Sequence, residues 1–271
     1  FDVDDYLNRN PRYYRADIDP VTTDTFRLVI RASANPAYAN ACQISEIELY
    51  PPTPPDPQPT RIPGGCGIQA DRILFLGNSI TFHPPAPQVF WDGNWGMAAG
   101  SEEKDYVHLL ANSLAALTGR QPQISVNNIA DFERNFETYE IESRLREQLA
   151  FQPDIAVIAI GENVPPLNTA ELQAGFRKSF LHLLHAVKKS GRPVIYVRSC
   201  FWPEEIRDNI MRQCCAEIGG LYVYIGQLGR DESMMARSER SYQHDGVAAH
   251  PGDKGMQAIA DLLFKAMTAQ P

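Results

Sequence analysis

From residue 73 onward, short apolar runs alternate with longer segments whose apolar residues recur every three or four positions. The runs cover 73–77, 124–127, 155–160, 194–198 and 221–225. They are dense in Ile, Leu and Val rather than alternating with polar residues, the pattern of strands buried on both faces. Between them the helical period predicts helices near 101–117, 139–150, 170–189 and 204–218, with a last helix over 254–267. Near-continuous apolar strands separated by amphipathic helices predict an α/β domain, a parallel sheet covered on both sides. Ligands of such sheets sit at the carboxyl ends of the strands, which is where chemistry is to be sought.

The N-terminal quarter reads differently. Residues 51–65, PPTPPDPQPTRIPGG, cannot join a helix or a sheet ladder and suit an extended spacer. A linker is therefore expected over 51–69, with the α/β domain over 70–271. Upstream, 25–31 (TFRLVIR) is rich in β-formers, and 42–50 (CQISEIELY) alternates like a half-buried strand. Two or three strands do not close a core. Residues 1–50 resemble the C-terminal part of a discoidin-like or carbohydrate-binding β-sandwich, whose last strand runs into a linker. The chain opens on Phe1-Asp2-Val3-Asp4 without a signal sequence. It is read as a fragment or processed form, and a periplasmic or secreted location is expected.

Composition narrows the function classes. The 271 residues are 44% hydrophobic and 21% charged, with a formal net charge of −8, which argues against a nucleic-acid partner. No apolar run approaches the roughly 20 residues that cross a bilayer, so no membrane insertion is expected. The five cysteines follow no metal or disulfide spacing. Cys42 and Cys66 flank the linker and would pair in an oxidising compartment; free, buried thiols are the alternative. His182 and His185 lie three apart on a predicted helix without a third ligand nearby, so no metal and no cofactor are expected.

Candidate chemistry gathers at strand ends. The first run ends in Gly77-Asn78-Ser79, where the glycine permits a sharp turn and the serine stands at the edge of the sheet. Ser79 is either a helix cap or a nucleophile. The second run leads into Ala130-Asp131-Phe132-Glu133 and the third into Gly161-Glu162-Asn163. Asn163 is either a turn former or a carboxamide aimed at an oxyanion. Near the C-terminus, His250-Pro251 precedes the last helix. Four such placements, each at a strand end or in a terminal loop and in this order, mark a candidate site rather than four separate turn residues.

These segments resemble the blocks of SGNH/GDSL hydrolases: Gly77-Asn78-Ser79 the first, with Asn78 where aspartate is usual, Gly161-Glu162-Asn163 the third, and His250-Pro251 the last. The resemblance covers residues 70–270. It implies a flavodoxin-like three-layer α/β/α sandwich with a five-stranded parallel sheet and a serine esterase mechanism. Ser79 is then the nucleophile and His250 the base. The oxyanion hole is implied to comprise the N–H of Ser79, the N–H of Ala130 and the side chain of Asn163. Ala130 stands where the family has a glycine. The family's acid lies three residues before the histidine, here Val247; Asp245 is the nearest carboxylate, and a backbone carbonyl is the alternative. The stretch 250–256 and the pair Phe132-Glu133 resemble members that deacetylate carbohydrates, which puts Glu133 among the expected substrate-binding residues.

Trp91 and Trp95 fall in a Pro/Gly-rich loop after Ser79, where they either stack a sugar or pack the loop. Arg198 and Trp202 follow the fourth run and are expected at the same edge, Arg198 alternatively as an ion-pair partner. The expected substrate is an O-acyl, preferably O-acetyl, ester on a carbohydrate. The rivals are a lipid or thioester hydrolase and a non-catalytic carbohydrate-binding protein.

Overall fold

The structure, a computed structural model, describes residues 68–269. The expected β segment over 1–50, and with it Cys42 and Cys66, lies outside the described residues, as does 51–67 of the expected linker.

In chain order the elements are β1 (Arg72–Gly77), α1 (Tyr106–Thr118), β2 (Gln123–Asn128), α2 (Ala130–Arg134), α3 (Ile141–Arg144), α4 (Arg146–Ala150), β3 (Ile155–Ala159), α5 (Ala170–Lys189), β4 (Val194–Arg198), α6 (Glu205–Glu217), β5 (Leu221–Val223), α7 (Asp245–Ala248) and α8 (Asp253–Thr268). The strands form one sheet in the order β2-β1-β3-β4-β5, every pairing parallel. This is the expected α/β class. Successive residues of a strand face opposite sides, so each strand feeds two cores. Leu74, Leu76, Ala156, Ile158, Ile195 and Val197 pack with Phe176, Phe180 and Leu184 of α5 and Met211 of α6. Ile73, Phe75, Val157 and Tyr196 pack on the other side with Tyr106 and Leu110 of α1 and Ile259 and Leu263 of α8. The sheet is thus sandwiched between helices.

Register decides what meets at the carboxyl edge. Gly77, the last residue of β1, is level with Asn128 of β2 and with Ala159 of β3. The segments that leave these three strands, beginning at residues 78, 129 and 160, therefore emerge side by side. β1 is the strand at which the order reverses, the place where such sheets open a crevice.

Where the helices depart from expectation, a local cause is visible. The helix expected from residue 101 begins at Tyr106, because Asp105 caps it, its Oδ1 accepting the His108 N–H at 2.8 Å. The same carboxylate accepts the Gly96 N–H at 3.1 Å and so ties the loop after Ser79 to α1. The helix expected over 139–150 breaks at Leu145 (φ −107°, ψ 21°) into α3 and α4. β5 stops at Val223, two residues before the expected end. The short helices α2 and α7 were not expected from the periodicity; four or five residues are too few to show it.

Candidate active site

The turn after β1 is built around a close approach. A Cβ on Gly77 would overlap the Thr81 side chain, so this position tolerates only glycine. The Asn78 carbonyl accepts the N–H groups of Thr81 and Phe82 at 2.9 and 3.0 Å, which closes the turn and lifts Ser79 to the edge of the sheet. Ser79 Oγ lies 2.8 Å from His250 Nε2. The two residues are 171 positions apart, and both are half-buried, open enough to meet a substrate.

The imidazole is held from behind by its own loop. His250 Nδ1 donates to the Gly246 carbonyl at 2.6 Å, one turn earlier in the chain. Asp245, expected as the acid, does not fill this place. It is exposed in the first turn of α7, where its charge acts on Arg237. The reason is helical geometry: residues 245–248 coil, which aims a carbonyl rather than the preceding side chain at the ring. With no carboxylate on Nδ1, burial dominates, and the imidazole is pushed down to about 4 despite the Gly246 hydrogen bond and the charge of Glu162. The Trp202 ring stands edge-on to His250, with centroids 5.5 Å apart, so the expected pocket tryptophan does border the base.

Asn163 lies on the segment that leaves β3, whose end is level with that of β1. Its Oδ1 accepts from Arg134 Nη2 at 3.0 Å, and its Nδ2 donates to Glu133 Oε2 at 2.7 Å. A carboxamide nitrogen carries two hydrogens, so one remains for a developing oxyanion. Among the described residues nothing accepts from the Ser79 N–H, which leaves that donor available too. The Ala130 N–H, the third expected donor, is instead given to Asn128 Oδ1 at 2.9 Å. The Asn128 side chain is itself fixed by donating to the Phe82 carbonyl at 2.8 Å, so it reaches the start of α2 first.

Beneath these groups lies a buried polar network. Glu133 is fully buried, and its Oε1 accepts from Gly161 N at 2.5 Å and from Asn163 N and Asn78 Nδ2 at 3.2 Å. Gly161 must be glycine: its φ is +128°, and a Cβ would overlap Cys200 Sγ. Glu162 accepts from Asn78 Nδ2 at 2.6 Å, from the Phe201 N–H at 2.8 Å and from Arg198 Nη1 at 2.5 Å. Two carboxylates thus share one amide, and the Arg198 cation is bonded to Glu162. Burial raises Glu162, but the Arg198 charge and hydrogen bonds outweigh it and hold this carboxyl below its ordinary range. Burial and the neighbouring Glu162 push Glu133 up. An aspartate at position 78 would add a third carboxylate here; the asparagine supplies two N–H donors instead. Glu133 was expected to touch substrate, and the structure corrects this because it is sealed at 0% exposure; Arg198, equally sealed, takes its alternative place as an ion-pair partner, to Glu162.

Trp91 and Trp95 take the second of their two expected places, packing the loop. They pack edge to face, centroids 5.7 Å apart, and their indole N–H groups donate to the carbonyls of His83 (3.0 Å) and Ala99 (2.9 Å). They fasten the loop after the nucleophile and line a separate cleft. Cys200, Cys214 and Cys215 are buried free thiols. Among the described residues no group of three or more His, Cys, Asp and Glu side chains is placed to share a metal ion, and no helix is long and apolar enough to cross a membrane.

Gly246, Arg134, Glu162 and Asn128 take part in this arrangement although sequence reasoning gave them no role. Only Glu162 had a visible signal, an acid directly after a buried strand; a backbone carbonyl leaves none. No family model and no curated protein matches the chain. Among solved structures it is similar to a carbohydrate esterase whose active site has catalytic and non-catalytic binding functions (14% identity, TM-score 0.45, 75% of this chain and 70% of that chain). It is similar to an acetyl xylan esterase from the rumen bacterium Butyrivibrio proteoclasticus (14%, 0.44, 73% and 63%). A lipase from a goat rumen metagenome is a third (13%, 0.44, 72% and 96%).

Proposed function

We propose that this protein is a serine esterase of the SGNH type that hydrolyses O-acyl, preferably O-acetyl, esters on carbohydrates. The observation that carries the reading is the 2.8 Å contact between Ser79 Oγ and His250 Nε2, made across 171 residues with Nδ1 already committed to a carbonyl. That commitment fixes the tautomer: Nδ1 keeps its hydrogen, and Nε2 is free to accept the serine proton.

In the reaction so inferred, Ser79 Oγ attacks the ester carbonyl carbon as its proton passes to His250 Nε2. The tetrahedral oxyanion is received by the Ser79 N–H and by the remaining Nδ2 hydrogen of Asn163. His250 returns the proton to the leaving alcohol, and an acyl-serine remains. Water repeats the sequence and frees the acid. The acetyl preference is supported by the partly exposed Trp202 beside the base and by the resemblance of the blocks around Glu133 and His250 to carbohydrate deacetylases.

Release of acetate from acetylated polysaccharides, with turnover of a chromogenic acetate as reference, tests the reading. Ser79→Ala is expected to abolish both activities with the fold intact; equal activity in that variant removes Ser79 from the mechanism. A chain-length series separates the rival lipid hydrolase, which would prefer long acyl groups. A non-catalytic carbohydrate-binding protein would show no turnover at all.

A further inference from the structure

Of the four non-glycine residues with positive φ among the described residues, Phe90 lines a cleft of about 310 Å³ that contains none of Ser79, Asn163 and His250, and Ala98 lies buried behind its wall. Phe90 (φ 55°) ends a short 3-10 turn and holds its ring 60% exposed. Ala98 (φ 73°) is buried, and its carbonyl accepts from Tyr242 Oη at 3.0 Å and from Arg240 Nη2 at 3.2 Å. Strained backbone persists where the surroundings enforce it, and it clusters at functional surfaces. Here one strained residue presents an aromatic ring to solvent, and the other fixes the polar wall opposite.

The lining is suited to one kind of ligand. Phe90, Trp91, Trp95 and Tyr242 supply aromatic surface. Both indole N–H groups are used inward, so the tryptophans offer carbon to the cleft. Arg240 supplies the polar contact: its Nε donates to Tyr242 Oη at 3.1 Å and its Nη2 to Ala98, Glu239 and Asp253, while Nη1 has no partner among the described residues. Gly100 keeps that nitrogen open, because a Cβ there would overlap it. Charge then chooses between a neutral and an anionic ligand. Arg240 and Lys104 are matched by Glu239 and Asp253, and Asp92 adds an exposed acid to the lining. An anion would gain little from so balanced a site; a hydroxyl oxygen needs only the free donor.

We propose that this cleft binds a neutral pyranose ring of a saccharide chain, separately from the acyl-transfer centre, with the sugar's C–H face on Phe90 and a hydroxyl on Arg240 Nη1. The choice of a saccharide rests on the carbohydrate-ester reading above. The cleft would hold the polymer while the dyad acts on an acyl group elsewhere along it.

The test is calorimetric titration of the Ser79→Ala protein with unacetylated neutral oligosaccharides and with uronic-acid oligosaccharides of equal length. The neutral series is expected to bind saturably and more tightly than the uronates. Phe90→Gly in the same background keeps the left-handed turn and is expected to weaken binding about tenfold; Phe90→Asn, which also tolerates that region, should do the same. With Ser79 present, both variants should hydrolyse a small chromogenic acetate at the unaltered rate. Absence of neutral-saccharide binding, or binding in both Phe90 variants as tight as with Phe90 in place, overturns the proposal. Binding that persists in a protein without Ser79-dependent acetate release would sink the esterase reading and leave this one standing.

Discussion

The two sides of Ser79 are supported by opposite means. Behind the base, His250 leans on a neutral carbonyl, Gly246 O, at 2.6 Å. Behind the proposed oxyanion donor, Asn163 leans on a buried carboxylate, Glu133 Oε2, at 2.7 Å. The negative charge that a catalytic triad keeps next to its histidine is therefore found next to the asparagine. A carboxylate on Nδ1 would stabilise the imidazolium and raise its pKa; a carbonyl orients the ring and does much less for its charge. A carboxylate on the carboxamide fixes a dipole without changing its protonation. The arrangement is charged around Asn163 and weakly polar around His250, which in the proposed reaction are the oxyanion side and the proton-transfer side.

Removing the proton acceptor is expected to have the largest effect. His250→Gln keeps much of the volume but has no basic nitrogen, and kcat should fall by about 10⁴-fold or more. Single-turnover measurements on a chromogenic acetate check this. A fall of less than tenfold would mean that another group removes the serine proton.

The opposite arm comes next. Asn163→Ala removes one oxyanion donor and should lower kcat by about 100- to 1,000-fold with little change in KM. Glu133→Gln tests whether the carboxylate acts through Asn163. The glutamine would set an NH₂ against groups that already donate, so the carboxamide should lose its anchor and kcat should fall in the same direction. The double variant should cost little more than Asn163→Ala alone, because the two residues act as a unit. Full additivity would show that Glu133 serves the fold and not the donor.

Acid sharpens the contrast. The base must be neutral to act, and a histidine lowered to about 4 stays neutral down to that pH. Glu133 is shifted the other way, above its ordinary 4.5, so it takes up a proton first as the pH falls. A protonated Glu133 accepts fewer N–H groups and releases Asn163. The acid limb of kcat/KM in the unaltered protein should therefore lie above pH 4.5 and move down towards 4 in Glu133→Gln. The same depressed histidine predicts a stability trend: the unfolded chain binds the proton near pH 6.5 and the folded one only near 4, so unfolding free energy should decrease as pH falls through that window. Urea titrations at successive pH values, with His250→Gln as control, would show it.

The division between what the sequence discloses and what it hides follows the same contrast. Dense apolar runs make the strands legible: 194–198 is bounded as expected, β1 and β3 differ by a residue at one end and β2 by a residue at each end. The residues of the dyad and Asn163 are side chains at strand ends or in a terminal loop, so their types and order could be read. The supports were not legible for two reasons. Gly246 acts through its backbone, which no residue type announces. Glu133 was read as a ligand from its resemblance to deacetylases, and Arg198 as a ligand or an ion-pair partner from its place after a strand; neither signal reports burial, and both side chains are sealed. For Trp91 and Trp95 stacking and packing both stayed open, since a loop's direction is not encoded in its composition; the structure shows them packed.

The smallest effect is expected where the sequence reading differs most from the structure. Asp245→Asn should change kcat by less than about twofold, because the exposed carboxylate has no contact with His250 and the Gly246 carbonyl that does make contact is untouched by the substitution. Steady-state kinetics on the chromogenic acetate decide it; a hundredfold loss would restore a carboxylate to the base. Nor does the chain have room for the acid three residues before the histidine. Val247 occupies that position at 2% exposure, packed in a cluster with Trp91, Met97 and Ala236. A carboxylate at Val247 would be buried among apolar groups, where an unpaired charge is costly, so Val247→Asp should lower the unfolding temperature rather than improve catalysis. The carbonyl is the support that this packing permits, and it explains why a charge could be spared on one side of Ser79 and kept on the other.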